Sequence, residues 1–544
     1  MRYLSENKRE DMRMKKRTAA RSMAALMGAA MVLTACGGGN TTAPTTGASS
    51  GGETQTASES AESGKITKTD IVVGQASDIV TLDPAGQQDT TSGVLMKHAY
   101  STLLDVDNEG KVVPDLAESY EMKSDTEYVF KLREDACFWD GTPVTAQDVK
   151  FSLDRAKGMP KTKSNTSKIE EVTVNGDHEV TIKLTELYAA FKTIVTQHNL
   201  SILSEKAVTE AGDSYGDVDN LLGSGPFKVT EWVPNDHYTL VRNDNYWGEM
   251  PIATSITCRV IPEGSARTIA LEAGEIDVVW SVDPTDCANV ESNPDVKLLS
   301  QPSTGIDYVG MNTQKEKFSD KRVRQAINYA LDKQTFVDTI IEGRGLVANS
   351  YINAAIPGWT DEVEAYPYDP EKAKELLAEA GYPDGFECSI FVNGDLRTRS
   401  AQILQAQLAD VGIKVDISTY EWGALLDTLN AGEHEMFLLG WSNTSFDPDG
   451  STYQLFYSGN HGATGNRAFF SNDKVDELIL SAQRESEESK RMELYKELQF
   501  VLHDESPWCP LYYKENNVGV RADLKGFTLH AGAQHYLGNC HYEE

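Results

Sequence analysis

The sequence predicts an α/β fold, and three observations carry that reading. Strand and helix signals alternate through residues 387–440, two earlier segments alternate polar and apolar residues, and about 480 residues follow the N-terminal segment, enough for two or three domains. The segments Glu127–Leu132 and Glu179–Leu184 have the period of two expected of half-exposed strands. Ile71-Val-Val-Gly reads as a short apolar strand. Phe227–Trp232 and Tyr238–Arg242 read as a strand pair turning at Pro234-Asn-Asp.

Past residue 308 helices dominate. Val323, Ala326, Ile327, Ala330 and Leu331 recur on one helical face, with Ser319 as the expected N-cap. Asp369-Pro370 opens a further helix and Gly381 closes it. There follow a strand at 387–392, a helix at 398–411 stopped by Gly412, a strand at 413–419, a helix at 422–430 and a strand at 435–440. Helices between strands imply βαβ units and a mainly parallel sheet. A long helical stretch is expected from Asp473 to His503.

The first 35 residues read as a leader. A basic stretch from Lys8 to Arg21 precedes a small apolar run from Met23 to Ala35, which is too short to span a bilayer. Leu33-Thr34-Ala35-Cys36 resembles the bacterial lipobox, which implies a signal peptide over 1–35 and a lipid on Cys36. Residues 37–64 have no aromatic or large aliphatic side chain and do not bury enough apolar surface to fold. With the anchor they form an expected tether, 36–64, reaching roughly 30 Å as a flexible coil.

The chain carries a formal charge of −33; positions 1–35 hold eight basic and three acidic residues, so the remainder carries −38. Such a surface argues against nucleic acid as a partner. Besides Cys36 there are six cysteines, none in CxxC spacing, so a structural zinc is not expected. Export permits disulfides, and Cys258 with Cys287 is the nearest pair; buried free thiols are the alternative.

Several blocks then carry a resemblance: Thr81-Leu-Asp-Pro84, Tyr100-Ser-Thr-Leu-Leu104, Val113–Ser119, Phe130–Ser152, Gly223–Lys228, Arg242–Trp247 and Val323–Leu331. In this order they resemble the extracellular solute-binding proteins of family 5, the oligopeptide- and dipeptide-binding group. The resemblance implies a two-lobed periplasmic-binding-protein fold of type II with an extra inserted domain. It implies lobe I at 65–111, 222–307 and 517–544, the insertion at 112–221, and lobe II at 308–516. It also implies the function: a monomeric binding component that captures peptide-like solutes at the outer face of the bacterial cell membrane. The implied partners are an ABC permease and its ATPase subunits, with no cofactor.

Ligands of open α/β sheets sit beyond the carboxyl ends of strands. The loop after the strand at 435–440 is such a place, and in the family it lies over the ligand. Trp441 offers a flat apolar face. Asp447 and Asp449 are candidates for a ligand ammonium, with Asn443 and Thr444 beside them. The family places the opening loop 83–92, Tyr308 and Asn312 on the cleft, and Trp422 is a candidate for a second aromatic wall. Asn393 and Arg397 resemble a subgroup with an Asn and a nearby Arg here, and Arg397 suits a carboxylate. Two departures matter: Thr444 stands where the best-known peptide binders have an Asp for the peptide amino terminus, and Phe391 stands where dipeptide binders have an Arg.

Rival readings are weaker. Asp447 and Asp449 suggest a hydrolytic carboxylate pair, but no partner acid is singled out. Zinc-protease and phosphate-loop motifs are absent. Some family members carry nickel, yet His530, His535 and His541 fit no standard metal spacing, so no metal is expected. A peptide-sensing receptor would share the fold.

Overall fold

The computed structural model describes residues 65–544. Cys36, the leader 1–35 and the tether 36–64 lie outside the described residues. At the centre is an eleven-stranded sheet. One half runs Phe227–Val233, His237–Arg242, Ser255–Val260, Asp70–Gln75 and Val278–Val279; the other half contains Met436–Ser442, Glu387–Val392 and Lys414–Thr419. Two long antiparallel strands, Val296–Met311 and Trp508–Arg521, join the halves. At one end of Trp508–Arg521, Val520 pairs with Val278; at the other, Trp508 pairs with Gly310. The register slips between Pro302 and Ile306, at the step from Glu515 to Tyr513 on the partner strand. A bulge of this kind bends and twists a strand pair. The expected lobe crossings, after residues 307 and 516, fall inside these two strands.

The sheet is mixed, not mainly parallel. Parallel pairing is confined to Ser255–Val260 and Val278–Val279 against Asp70–Gln75, and to Glu387–Val392 against its two neighbours. These are the strands that helical crossovers reach. The joining strands pair antiparallel instead, so helix–strand alternation describes only part of the sheet.

Residues 117–184 contribute a separate four-stranded antiparallel sheet, ordered Ala117–Ser124, Glu127–Leu132, Glu179–Leu184 and Ile169–Gly176. The two strands read from period-two patterning are its central pair, with Tyr128, Phe130, Val180 and Ile182 turned inward. Helix Ala146–Lys157 covers it, packing Val149 and Leu153 on a core of its own. Each such fully buried side chain contributes roughly 1.5–3 kcal/mol of transfer free energy.

The helices follow their caps, with three adjustments. Lys321–Ala330 is capped by Asp320, whose carboxylate accepts from Arg322 N at 2.9 Å, rather than by Ser319. Ser319 ends the preceding turn and bonds Glu316 O. The helix expected at 398–411 spans Gly394–Ala409, with Asn393 at its N-cap position immediately after the strand. The long stretch splits into Asp473–Gln483 and Glu488–Glu505. Pro370–Glu379 begins after Asp369, which caps Lys372 N, and is followed by Gly381 at φ 93°.

All six cysteines of the described body are unpaired. Cys258 and Cys287 form no bridge because they sit in different cores. No helix among the described residues is long and apolar enough to cross a membrane.

Candidate functional site

A cavity of about 400 Å³ lies where the sheet halves meet. Its floor comes from the strand ends Leu439–Ser442 and from Tyr512 and Lys514–Asn517 on the joining strand. The first half adds Gln87–Thr91, Trp280 and Gln534; Asn165, from the segment that carries the four-stranded sheet, and Gln197–Asn199, which follow that sheet, line it as well. Leu396, Arg397, Trp422 and Arg467 close the second side. A volume of this size, with aromatic walls and a few polar groups, fits a small organic solute.

Three indoles shape the walls. Trp441 ends its strand half-buried and donates Nε1 to Gly450 O at 3.1 Å, which sets the ring plane. Trp422 opens helix Trp422–Asn430, with the Arg397 guanidinium 5.8 Å from its ring centroid. Trp280 stacks on His535 with centroids 5.2 Å apart. At the floor, Lys514 is 2.9 Å from the Asp307 carboxylate. Gly440 sits against that pair, and a Cβ there would collide with Asp307 Oδ1.

Buried polar atoms are normally paired. The cavity wall holds several that are not: Asp89 Oδ2, Gln88 Oε1, Gln534 Oε1, Arg397 Nε and the Nε1 atoms of Trp280 and Trp422. Asp89 is held by its cap role, Oδ1 accepting from Ser92 N at 3.0 Å, while burial pushes its carboxyl up. Burial lowers His198 and His535 to about 3, so both imidazoles are neutral near pH 7. Among the described residues no cluster of three or more His, Cys, Asp or Glu side chains is placed to hold a metal ion.

The residues expected at the site divide into two sets. Trp441, Thr444, Trp422 and Arg397 line the cavity, and Thr444 donates to Gln197 Oε1 at 3.0 Å. The others do not line it. Asp447 is not open to an ammonium, because Arg491 grips both its oxygens at 2.9 and 2.5 Å. Asp449 accepts from Tyr188 at 2.6 Å and Gln483 at 2.9 Å; burial and the nearby Asp447 raise it to about 6. Asn443 folds its own loop, donating to Asp447 O and Ser451 Oγ. Tyr308 is core, stacked on Trp508 at 3.4 Å. Asn312 donates to the carbonyls of Gly432 and His434. Asn393 accepts from Arg397 Nη1 at 2.7 Å and so aims the arginine.

Arg467, Trp280 and Lys514 also line the cavity, and no local motif in the sequence points to them. Asp89 stands out in the sequence only as part of the opening loop, although Asp before Thr-Thr-Ser and an apolar run is a helix-start signal.

Comparison with known proteins agrees with this geometry. Residues 111–463 match the family described as bacterial extracellular solute-binding proteins, family 5 (middle). The glutathione-binding protein GsiB of Escherichia coli K12 is 31% identical over 479 residues, covering 85% of this chain and 92% of its own. The heme-binding protein A of Haemophilus influenzae is 31% identical over 448 residues, covering 77% and 82%. Among solved structures, the periplasmic binding protein DppA of Helicobacter pylori, in complex with the peptide STSA, superposes with a TM-score of 0.84 at 28% identity. That match covers 88% of this chain and 99% of DppA.

Proposed function

Because this chain belongs to the bacterial extracellular solute-binding proteins, family 5, we propose that it captures peptides or peptide-like solutes outside the cell for an ABC importer. Family members are binding proteins rather than enzymes. The observation that carries the reading is the cavity itself: unpaired buried polar atoms and three indoles gathered between two sheet halves joined by two continuous strands. Ligand between such halves favours the closed arrangement by as much as it prefers that arrangement.

In this reading the lobes are 65–111 with 222–307 and 517–544, and 308–516; 112–221 is the insertion. Residues 1–35 are a signal peptide, Cys36 carries the lipid, and 36–64 tether a monomeric body to the outer face of the membrane. Peptide capture fits the ligands of relatives, glutathione for GsiB and STSA for DppA. Trp441, Thr444, Trp422 and Arg397 are the contacts proposed from the expected set.

The test is mass spectrometry of solutes released from the purified chain, followed by calorimetric titration with di- to pentapeptides. A bound peptide and a ligand-dependent rise in melting temperature are expected. If no peptide binds or raises the melting temperature, the peptide assignment is wrong.

A further inference from the structure

One wall of the cavity is a contact between residues 247 positions apart. Thr444, on the loop after strand Met436–Ser442, donates its hydroxyl to Gln197 Oε1 at 3.0 Å. Both residues also line a second, much smaller cavity of about 20 Å³, together with Lys97, Asp105, His198 and His530. The Thr444–Gln197 pair therefore stands between the two spaces. The Thr444 contact is the one side-chain hydrogen bond of Gln197 among the described residues, so its Nε2 donor is free. The Thr444 oxygen, having given its proton, keeps its acceptor lone pairs.

Among the described residues, this wall offers a solute no unpaired anion. Asp447 and Asp449, on the same loop and the helix after it, are engaged by Arg491, Tyr188 and Gln483 and do not line the cavity. Asp105 lies behind the pair and is held by Lys97 at 3.2 Å. The acids that do line the main cavity belong to other walls. Asp89 caps helix Thr90–Ala99, roughly 12 Å along its axis from Lys97, and Glu515 sits on the joining strand. Burial first, and then the Lys97 charge, lowers His198 to about 3 and His530 to about 4, so both rings are neutral near pH 7. At His198 the Lys97 charge outweighs that of Asp105, so the field there is positive.

We infer that Gln197, together with Thr444, is a specificity-determining residue that selects an uncharged end group: the solute places an acyl or amide group, not an ammonium, against this wall. The inference rests on the solute-capture reading and names the class of solute, a peptide whose amino end is acylated. The free Gln197 Nε2 suits a carbonyl oxygen, and the Thr444 oxygen suits an amide N–H, so the pair matches both halves of an amide. An ammonium would lose its water at this wall without meeting a carboxylate, and would sit in front of Lys97.

The test compares tri- and tetrapeptides with free amino ends against the same peptides N-acetylated. Affinity is read by calorimetry on the parent chain and on Gln197→Leu and Thr444→Asp, with melting curves to verify folding. The parent is expected to bind the acetylated set about tenfold more tightly, the equivalent of ~1.4 kcal/mol. Gln197→Leu, which removes the donor, should erase that preference. Thr444→Asp, which supplies an anion, should reverse it in favour of free amines. A parent that prefers free amines or binds both sets equally overturns the inference while leaving peptide capture standing. A preference that neither folded variant alters does the same. If Gln197→Leu does not fold, the parent comparison and Thr444→Asp decide. If no peptide binds, N-acetylated amino acids are titrated against free amino acids. Saturable binding of the acetylated forms that Thr444→Asp weakens supports the uncharged wall without peptides; binding of the free forms alone overturns it, and no binding overturns both readings.

Discussion

Tyr188 donates its hydroxyl to the Asp449 carboxylate at 2.6 Å, tying the segment that follows the four-stranded sheet to a helix 261 residues further along the chain. Gln483 donates to the other oxygen at 2.9 Å, so Asp449 is a buried junction. Its carboxyl is raised to about 6, by burial first and then by the Asp447 charge.

A raised carboxyl pKa makes the fold most stable where the group is protonated. The contribution is complete below the ordinary value near 4 and is lost as pH rises through about 6. The parent is therefore expected to lose stability relative to Asp449→Asn between pH 4 and pH 7, by on the order of 3 kcal/mol at most. Chemical denaturation of both chains at several pH values checks this. A constant difference between them would show that Asp449 titrates normally.

Trp441→Ala removes an indole whose plane is set by Gly450 at the cavity wall. Ligand affinity should fall about tenfold, the equivalent of ~1.4 kcal/mol, with little change in melting temperature. Calorimetry with the best-binding peptide measures it; unaltered affinity would remove Trp441 from the binding surface.

Arg399, on helix Gly394–Ala409 of the second half, reaches Asp283 of the first half at 2.6 Å. The pair is partly exposed, so its worth is about 1 kcal/mol or less. Arg399→Gln should shift the ligand-free chain toward a more open form, raising its radius of gyration in X-ray scattering and weakening affinity several-fold. An identical scattering profile would mean that the bridge does not bias closure.

Cys36→Ala removes the proposed acceptor of the lipid. The variant should be released into the culture medium, while the parent stays with the membrane fraction. Retention of the variant at the membrane would sink the anchor, and immunoblots of the two fractions read the outcome.

Local chemistry is largely legible in the sequence. Asp369-Pro370 and Gly381 bound a helix where their backbone preferences require it. Glu127–Leu132 and Glu179–Leu184 form strands with the predicted faces inward. At the site, Trp441 and Arg397 are readable because they lie at the carboxyl end of one strand and in the helix start after the carboxyl end of its neighbour. Asp447 and Asp449 mislead for a physical reason. Two acids next to a loop Trp look like ligand groups until their partners are known, and Arg491 and Tyr188 lie 44 and 261 residues away. Arg467 is invisible for the converse reason: it reaches the cavity only through the fold, and no local pattern records that.

By itself, then, the sequence determined which segments form helices and strands and the ordered blocks of a family. These rest on backbone preference, apolar period and short motifs, all local in the chain. Only the tertiary structure decided which polar side chains answer one another and which face the cavity unanswered. That choice turns on distances between residues remote in sequence, and through it Asp447 became part of the scaffold while Arg467 was left facing the space a solute would fill.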